Sequence, residues 1–188
     1  MTSFARSINI DCGYYSGTSN FNALKGVYSC KILSISAQEN RHVSITGSHI
    51  NGKANNDVIG IWDSAGRLTS FPRRLGNVFK NLVAFTITGG NIREIQQEDL
   101  RPYPNLVALN FHGSKIEVIE QDLFIFNPHL ESVEFDSKKI RYISPDAFDE
   151  LPNLRFLVIS GCASVNVQDD RVKVQREIQR IKQFCQND

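Results

Sequence analysis

The chain of 188 residues carries one tryptophan, four histidines, four cysteines and six prolines. It has no C-x2-C or H-x3-H spacing, so a short zinc-binding motif is excluded. A glycine-rich phosphate loop is missing, and no serine or cysteine nucleophile sits in a recognised catalytic turn. No apolar run is long enough to cross a membrane. The opening "MTSFARSIN" lacks the apolar stretch of a secretory leader, so the chain reads as a mature region with an added Met. Asn-x-Ser/Thr acceptor sites are absent. With 21 basic and 20 acidic residues, a net charge of +1 gives no sign of a nucleic-acid partner.

What the chain does have is a period. The segments "LVAFTITGGNI", "LVALNFHGSKI", "LESVEFDSKKI" and "LRFLVISGCAS" begin at Leu82, Leu106, Leu130 and Leu154, each 24 residues after the last. One step back lies Val58, opening "VIGIWDSAGRL". A period held over five units points to a stacked repeat architecture, which works through the surface it presents. Within a unit, positions 4 and 6 (Phe85/Ile87, Leu109/Phe111, Val133/Phe135, Leu157/Ile159) alternate and so point to one face of a short strand. Further apolar residues recur at positions 11, 14, 19 and 22. No unit can bury all of these alone. Parallel stacking lets each coil cover the next.

This spacing resembles the 24-residue class of the leucine-rich repeat family, over about residues 40–167. The resemblance implies an α/β repeat fold. It would be a right-handed solenoid with a curved parallel sheet, an N-terminal hairpin cap and a C-terminal helical cap. The domain reading is one unit over 1–188: cap 1–39, repeats 40–167, helical cap 168–188. "NRHVSITGSHI", from Asn40, reads as a short, irregular first repeat joined by polar "NGKANND" to the next. Strands are expected near 43–46, 61–64, 85–88, 109–112, 133–136 and 157–160. The chain departs from the family at position 9, usually Asn, which here reads Gly66, Gly90, Ser114, Lys138 and Cys162.

The family's extracellular members often have cysteine-clamped caps, and this layout looks like theirs. Four cysteines allow three pairings. A hairpin of "SINIDC" and "GVYSCKILSI" could set Cys12 opposite Cys30, and a helix over "DDRVKVQREIQRIKQFC" could bring Cys185 to Cys162. Local pairing, 12–30 and 162–185, is the favoured reading. The alternative leaves Cys162 a buried thiol. Val174, Ile178, Ile181 and Cys185 give the helix one apolar face.

The family's concave face is built from outward strand residues. Carried over, the candidate ligand-binding residues are Trp62, Arg67, Thr86, Asn110, His112, Lys115, Glu134, Asp136, Phe156 and Val158. Trp62 stands out because tryptophan is enriched at interface hot spots, although packing on the loop 51–57 would also explain it. Lys115 and Lys139, with Arg67, make a basic edge beside Glu134 and Asp136, which would ordinarily be no more than a solvated face. His42, His49 and His112 could cluster as metal ligands, but scattered surface histidines are commoner, and no catalytic residue, metal or cofactor is assigned. The expectation is a secreted, non-enzymatic module binding a protein, or a microbial surface molecule, in a setting such as invertebrate immunity or as a secreted effector. The alternative is a structural or self-assembling extracellular protein, so a homo-oligomer stays open.

Overall fold

The computed structural model describes residues 7–17, 23–38 and 43–185. The chain opens with two long strands, β1 (Ser7–Gly17) and β2 (Val27–Gln38), followed by the short β3 (Val43–Thr46). Repeating strands then follow: β4 (Gly60–Asp63), β5 (Ala84–Thr88) and β6 (Ala108–His112). Between β5 and β6 lies a single helical turn, α1 (Gln97–Leu100). After β7 (Val118–Ile119) come β8 (Ser132–Asp136), β9 (Tyr142–Ile143) and β10 (Phe156–Ser160). The chain closes with β11 (Val165–Val167) and α2 (Arg171–Phe184).

The main sheet has the order β11-β10-β8-β6-β5-β4-β2-β1-β3. From β4 to β10 all pairing is parallel, and the register advances by one period at each step: Ile61, Phe85, Leu109, Val133 and Leu157 stand side by side. The same step is repeated in the backbone just before each strand. Val83 N donates to Ile59 O, Val107 N to Val83 O, Glu131 N to Val107 O and Arg155 N to Glu131 O, at 2.7–2.9 Å. Five strands joined this way make a solenoid of stacked coils. The small second sheet, β7 paired with β9, runs parallel on another side of the same coils.

The side chains at positions 4 and 6 fill the interior as expected. Phe85, Phe111 and Phe135 are fully buried, and Phe111 stacks on Phe135 with ring centroids 5.3 Å apart. Burying each such side chain contributes roughly 1.5–3 kcal/mol. Position 9 shows why glycine replaces the usual amide in the first coils. Gly66 has φ +62°, and a Cβ there would lie 2.2 Å from Gly90 N, so the two turns stack in contact.

The polar bonding between coils is done elsewhere. Ser137 Oγ donates to Ser114 O and Ile116 O at 3.0 and 2.9 Å. On the side remote from the strands, Asn127 Nδ2 donates to Tyr103 O at 2.7 Å and the Tyr103 hydroxyl donates to Pro72 O. Burial pushes the Tyr103 phenol well above its usual pKa. Asp63 stands at an inward position of the first coil and is fully buried. Its carboxylate accepts from Leu68 N at 2.8 Å and Ala65 N at 3.2 Å, which shapes the turn after β4.

Both ends differ from the middle. β1 and β2 form an antiparallel hairpin with a bulge at Asp11/Cys12. Cys12 and Cys30 are bonded across it. β2 pairs with β4 only along Ser29–Lys31. The expected first repeat at 40–57 is corrected here: β3 pairs in parallel with β1, at the outer edge of the sheet, and is not the coil preceding β4. The alternation of "VSIT" gives a strand but not its partner, and β2 has taken the place beside β4. At the other end, residues assigned to the last repeat reverse direction, and β11 returns antiparallel to β10. Helix α2 starts where Asp170 accepts from Lys173 N at 2.8 Å. It buries Val174, Ile178 and Ile181, and Cys185 is bonded to Cys162.

Candidate functional site

The strand residues that point away from the interior form the opposite face of the sheet. Its N-terminal end carries an aromatic and cationic group. Trp62, half-buried on β4, is in register with Lys31 on β2, whose Nζ lies 4.4 Å from the indole centroid. Tyr15 of β1 meets the same indole edge-on at 5.6 Å. Leu33, two residues from Lys31 and on the same side of β2, is 46% exposed. Trp62 was singled out by sequence. Tyr15, Lys31 and Leu33 were not, because their side of the sheet depends on the hairpin register.

The middle of this face is tighter than the sequence suggests. Thr86, Asn110 and Glu134 are in register on β5, β6 and β8. All three are buried, at 4%, 1% and 4% exposure, although solvent-facing side chains were expected there. Adjacent strands lie only about 4.8 Å apart, so side chains in one row shade each other. Asn110 Nδ2 donates to Thr86 Oγ1 at 3.4 Å, and Ser132 Oγ donates to Asn110 Oδ1 at 3.4 Å. The next row, two residues further along the strands, is open. Thr88 is exposed, and His112 and Asp136 are half-buried. His112 Nε2 lies 3.7 Å from Glu134 Oε2. Burial raises the Glu134 pKa, His112 opposes that shift and Asp136 adds to it.

At the far end, Val158 is half-buried on β10 and opposes Asn166 of β11. Phe156, expected to be open, is only 8% exposed. Arg155 lies 4.7 Å from its ring and pairs with both Glu131 and Asp169.

Arg67 and Lys115 are not on the sheet face at all. β4 ends at Asp63 and β6 at His112, and the chain has turned before reaching either cation. Lys115 Nζ donates to Asn91 Oδ1 of the neighbouring coil at 2.6 Å. Arg67 stands at the mouth of a cleft beside the hairpin. The structure therefore brings together Trp62, His112, Asp136 and Val158 on one surface, with Thr86, Asn110 and Glu134 beneath it. It separates Arg67 and Lys115 from them.

Among the described residues, no three His, Cys, Asp or Glu side chains converge as metal ligands. His42 lies outside the described residues, and His49 is engaged at both ring nitrogens, by the Tyr28 hydroxyl and Asn55 Oδ1, each at 2.9 Å. Within the described residues no helix is long and apolar enough to cross a membrane.

Residues 104–163, the stretch that holds β6, β8 and β10, match the family model described as leucine rich repeat. No curated protein matches the chain.

Proposed function

We propose that this leucine-rich repeat protein is a non-enzymatic recognition module that binds a protein ligand through the concave, strand-lined face of its solenoid. The observation that carries the reading is the group at Trp62. A large indole, a tyrosine edge and a lysine meet there, on an apolar patch formed by Val27, Ala84 and Ala108 with Leu24, Ile59 and Val83, the composition of an interface anchor with its rim. Thr88, His112 and Asp136 extend that surface with groups that can hydrogen-bond. Thr86, Asn110 and Glu134 hold the floor from below and contact no ligand directly.

Two disulfides support a secreted protein working in an oxidising compartment, since such bonds persist outside the reducing cytosol. A role in immunity, or as a secreted effector, is part of the same proposal. Affinity capture from the source fluid, wild type against Trp62→Ala, tests it. The captured partner should be lost with Trp62→Ala while the melting curve stays close to wild type. Retention of the partner at wild-type level contradicts it. A mass that rises with concentration in light scattering, with no captured partner, supports self-assembly instead.

A further inference from the structure

Several asparagines are built into the fold. Asn110 and Asn127 are buried and bonded, Asn55 accepts from His49, and Asn91 accepts from Lys115. Asn51 is placed differently. It opens a stretch, residues 51–57, in which every residue is exposed. Among the described residues nothing holds its side-chain amide by a hydrogen bond. It is also the only asparagine of the chain that is followed by glycine.

The backbone here makes a tight turn. Asn51 and Gly52 have φ of +53° and +68°, and Lys53 N donates to Ile50 O at 3.1 Å. Two positive φ values at the centre of a turn are those of type I′, which Asn-Gly favours. The left-handed conformation is costly for residues other than glycine, so the turn holds Asn51 in it against a local preference. Residues 50–53 are all exposed. Gly52 N donates to nothing among the described residues. A Cβ at Gly52 would meet no atom within 4 Å apart from its chain neighbours.

We infer that Asn51 is a site of spontaneous modification, where the side-chain amide is lost and the backbone is rerouted. Gly52 N gives up its proton and attacks Asn51 Cγ. The bond from Gly52 N to Cγ forms, the bond from Cγ to Nδ2 breaks, and ammonia leaves with the proton. Water then opens the cyclic imide. Its attack at Cγ yields aspartate. Its attack at the main-chain carbonyl carbon yields isoaspartate, in which the chain runs through the side-chain carbon. Bringing Gly52 N onto Cγ requires rotation about Asn51 ψ, which breaks only the bond from Lys53 to Ile50 and moves no buried residue. Segments held so lightly open at little cost. Glycine leaves the attacking nitrogen unhindered. Either product adds a carboxylate, which cancels the net charge of +1. Isoaspartate also lengthens the loop that ties His49 to Tyr28. This inference does not depend on the reading of the sheet face.

Timed incubation of the intact protein at mildly alkaline pH, followed by trypsin and mass spectrometry, tests it. Trypsin cuts after Arg41 and Lys53 and so releases "HVSITGSHINGK", in which Asn51 is the only asparagine. The same sequence as a synthetic peptide is the reference, and unincubated protein sets the baseline. The peptide from the folded protein should gain the mass difference between NH and O and split into two products on chromatography. Its conversion should run within about thirtyfold of the rate in the free peptide, the penalty for a shallow local opening. Asn51→Gln should abolish the acidic form seen on isoelectric focusing, because the larger ring closes far more slowly. Conversion slower than that limit overturns the inference. So does conversion at other asparagines with residues 42–53 unchanged.

Discussion

Phe111 and Asn110 are neighbours on one strand, and both are closed to solvent. Phe111 is closed by the interior: it stacks on Phe135 and faces the apolar side chains of the coils on either side. Asn110 is closed by its own row, between Thr86 and Glu134, on the face that was expected to meet solvent. The first kind of burial is driven by removing apolar surface from water. The second removes polar groups from water and must replace their hydrogen bonds, which the longer contacts to Thr86 and Ser132 do only in part. The two faces of the strands thus differ in what holds them, and they should respond differently to substitution.

The largest contrast is expected at Phe111→Ala. Emptying this site should lower stability by about 3–5 kcal/mol, seen as a single shifted transition in denaturant. A near-wild-type midpoint would mean that the interior face does not carry the fold. Reducing Cys162–Cys185 probes the end of the same interior, where α2 covers the last coil. A loss of about 2–4 kcal/mol is expected, measured by chemical denaturation of the selectively reduced protein. No loss would mean that Val174, Ile178 and Ile181 hold α2 without help.

Asn110→Ala sharpens the comparison on the opposite face. It should cost about 1 kcal/mol, clearly less than Phe111→Ala but more than a surface change. A cost equal to that of Phe111 would erase the distinction between the faces.

The smallest effect is expected at Glu134, and it depends on pH. Its pKa in the folded protein is raised, burial being the largest cause, so the fold favours the protonated carboxyl. That contribution is fully present below the unfolded pKa, about 4.3, and is lost as pH rises through the folded value. Glu134→Gln keeps the neutral form at every pH. It should therefore be slightly more stable than wild type near pH 7, by a few tenths of a kcal/mol. The two proteins should converge as pH falls below the ordinary glutamate range. A Glu134→Gln protein less stable than wild type at pH 7 would mean that the contact with His112 outweighs burial.

The interior face was legible in the sequence because each coil supplies the environment of the next. Leu109 meets Phe85 and Val133, its own equivalents one period away, so spacing alone identified the neighbours. Asn127 and Asp63 break the apolar pattern and appeared as gaps in it, yet both are buried and bonded to backbone. The N-terminal end was half legible. β1, β2 and the Cys12–Cys30 bond follow from alternation and cysteine placement, but alternation could not say that β3 would pair with β1. For the same reason Trp62 was legible and its companions Tyr15 and Lys31 were not. A strand pattern gives two faces, and only the pairing decides which face each joins.

The claim that recognition uses the strand-lined face is tested most directly by site-specific photo-crosslinking in the source fluid. A photoreactive residue is placed at Thr88, exposed on that face, or at Ile125, 47% exposed on the far side of the coils. Both sites are open, so neither substitution should disturb the fold. A discrete adduct should form from Thr88, suppressed by Trp62→Ala in the same chain, and none from Ile125. An adduct from Ile125 with none from Thr88 would contradict it.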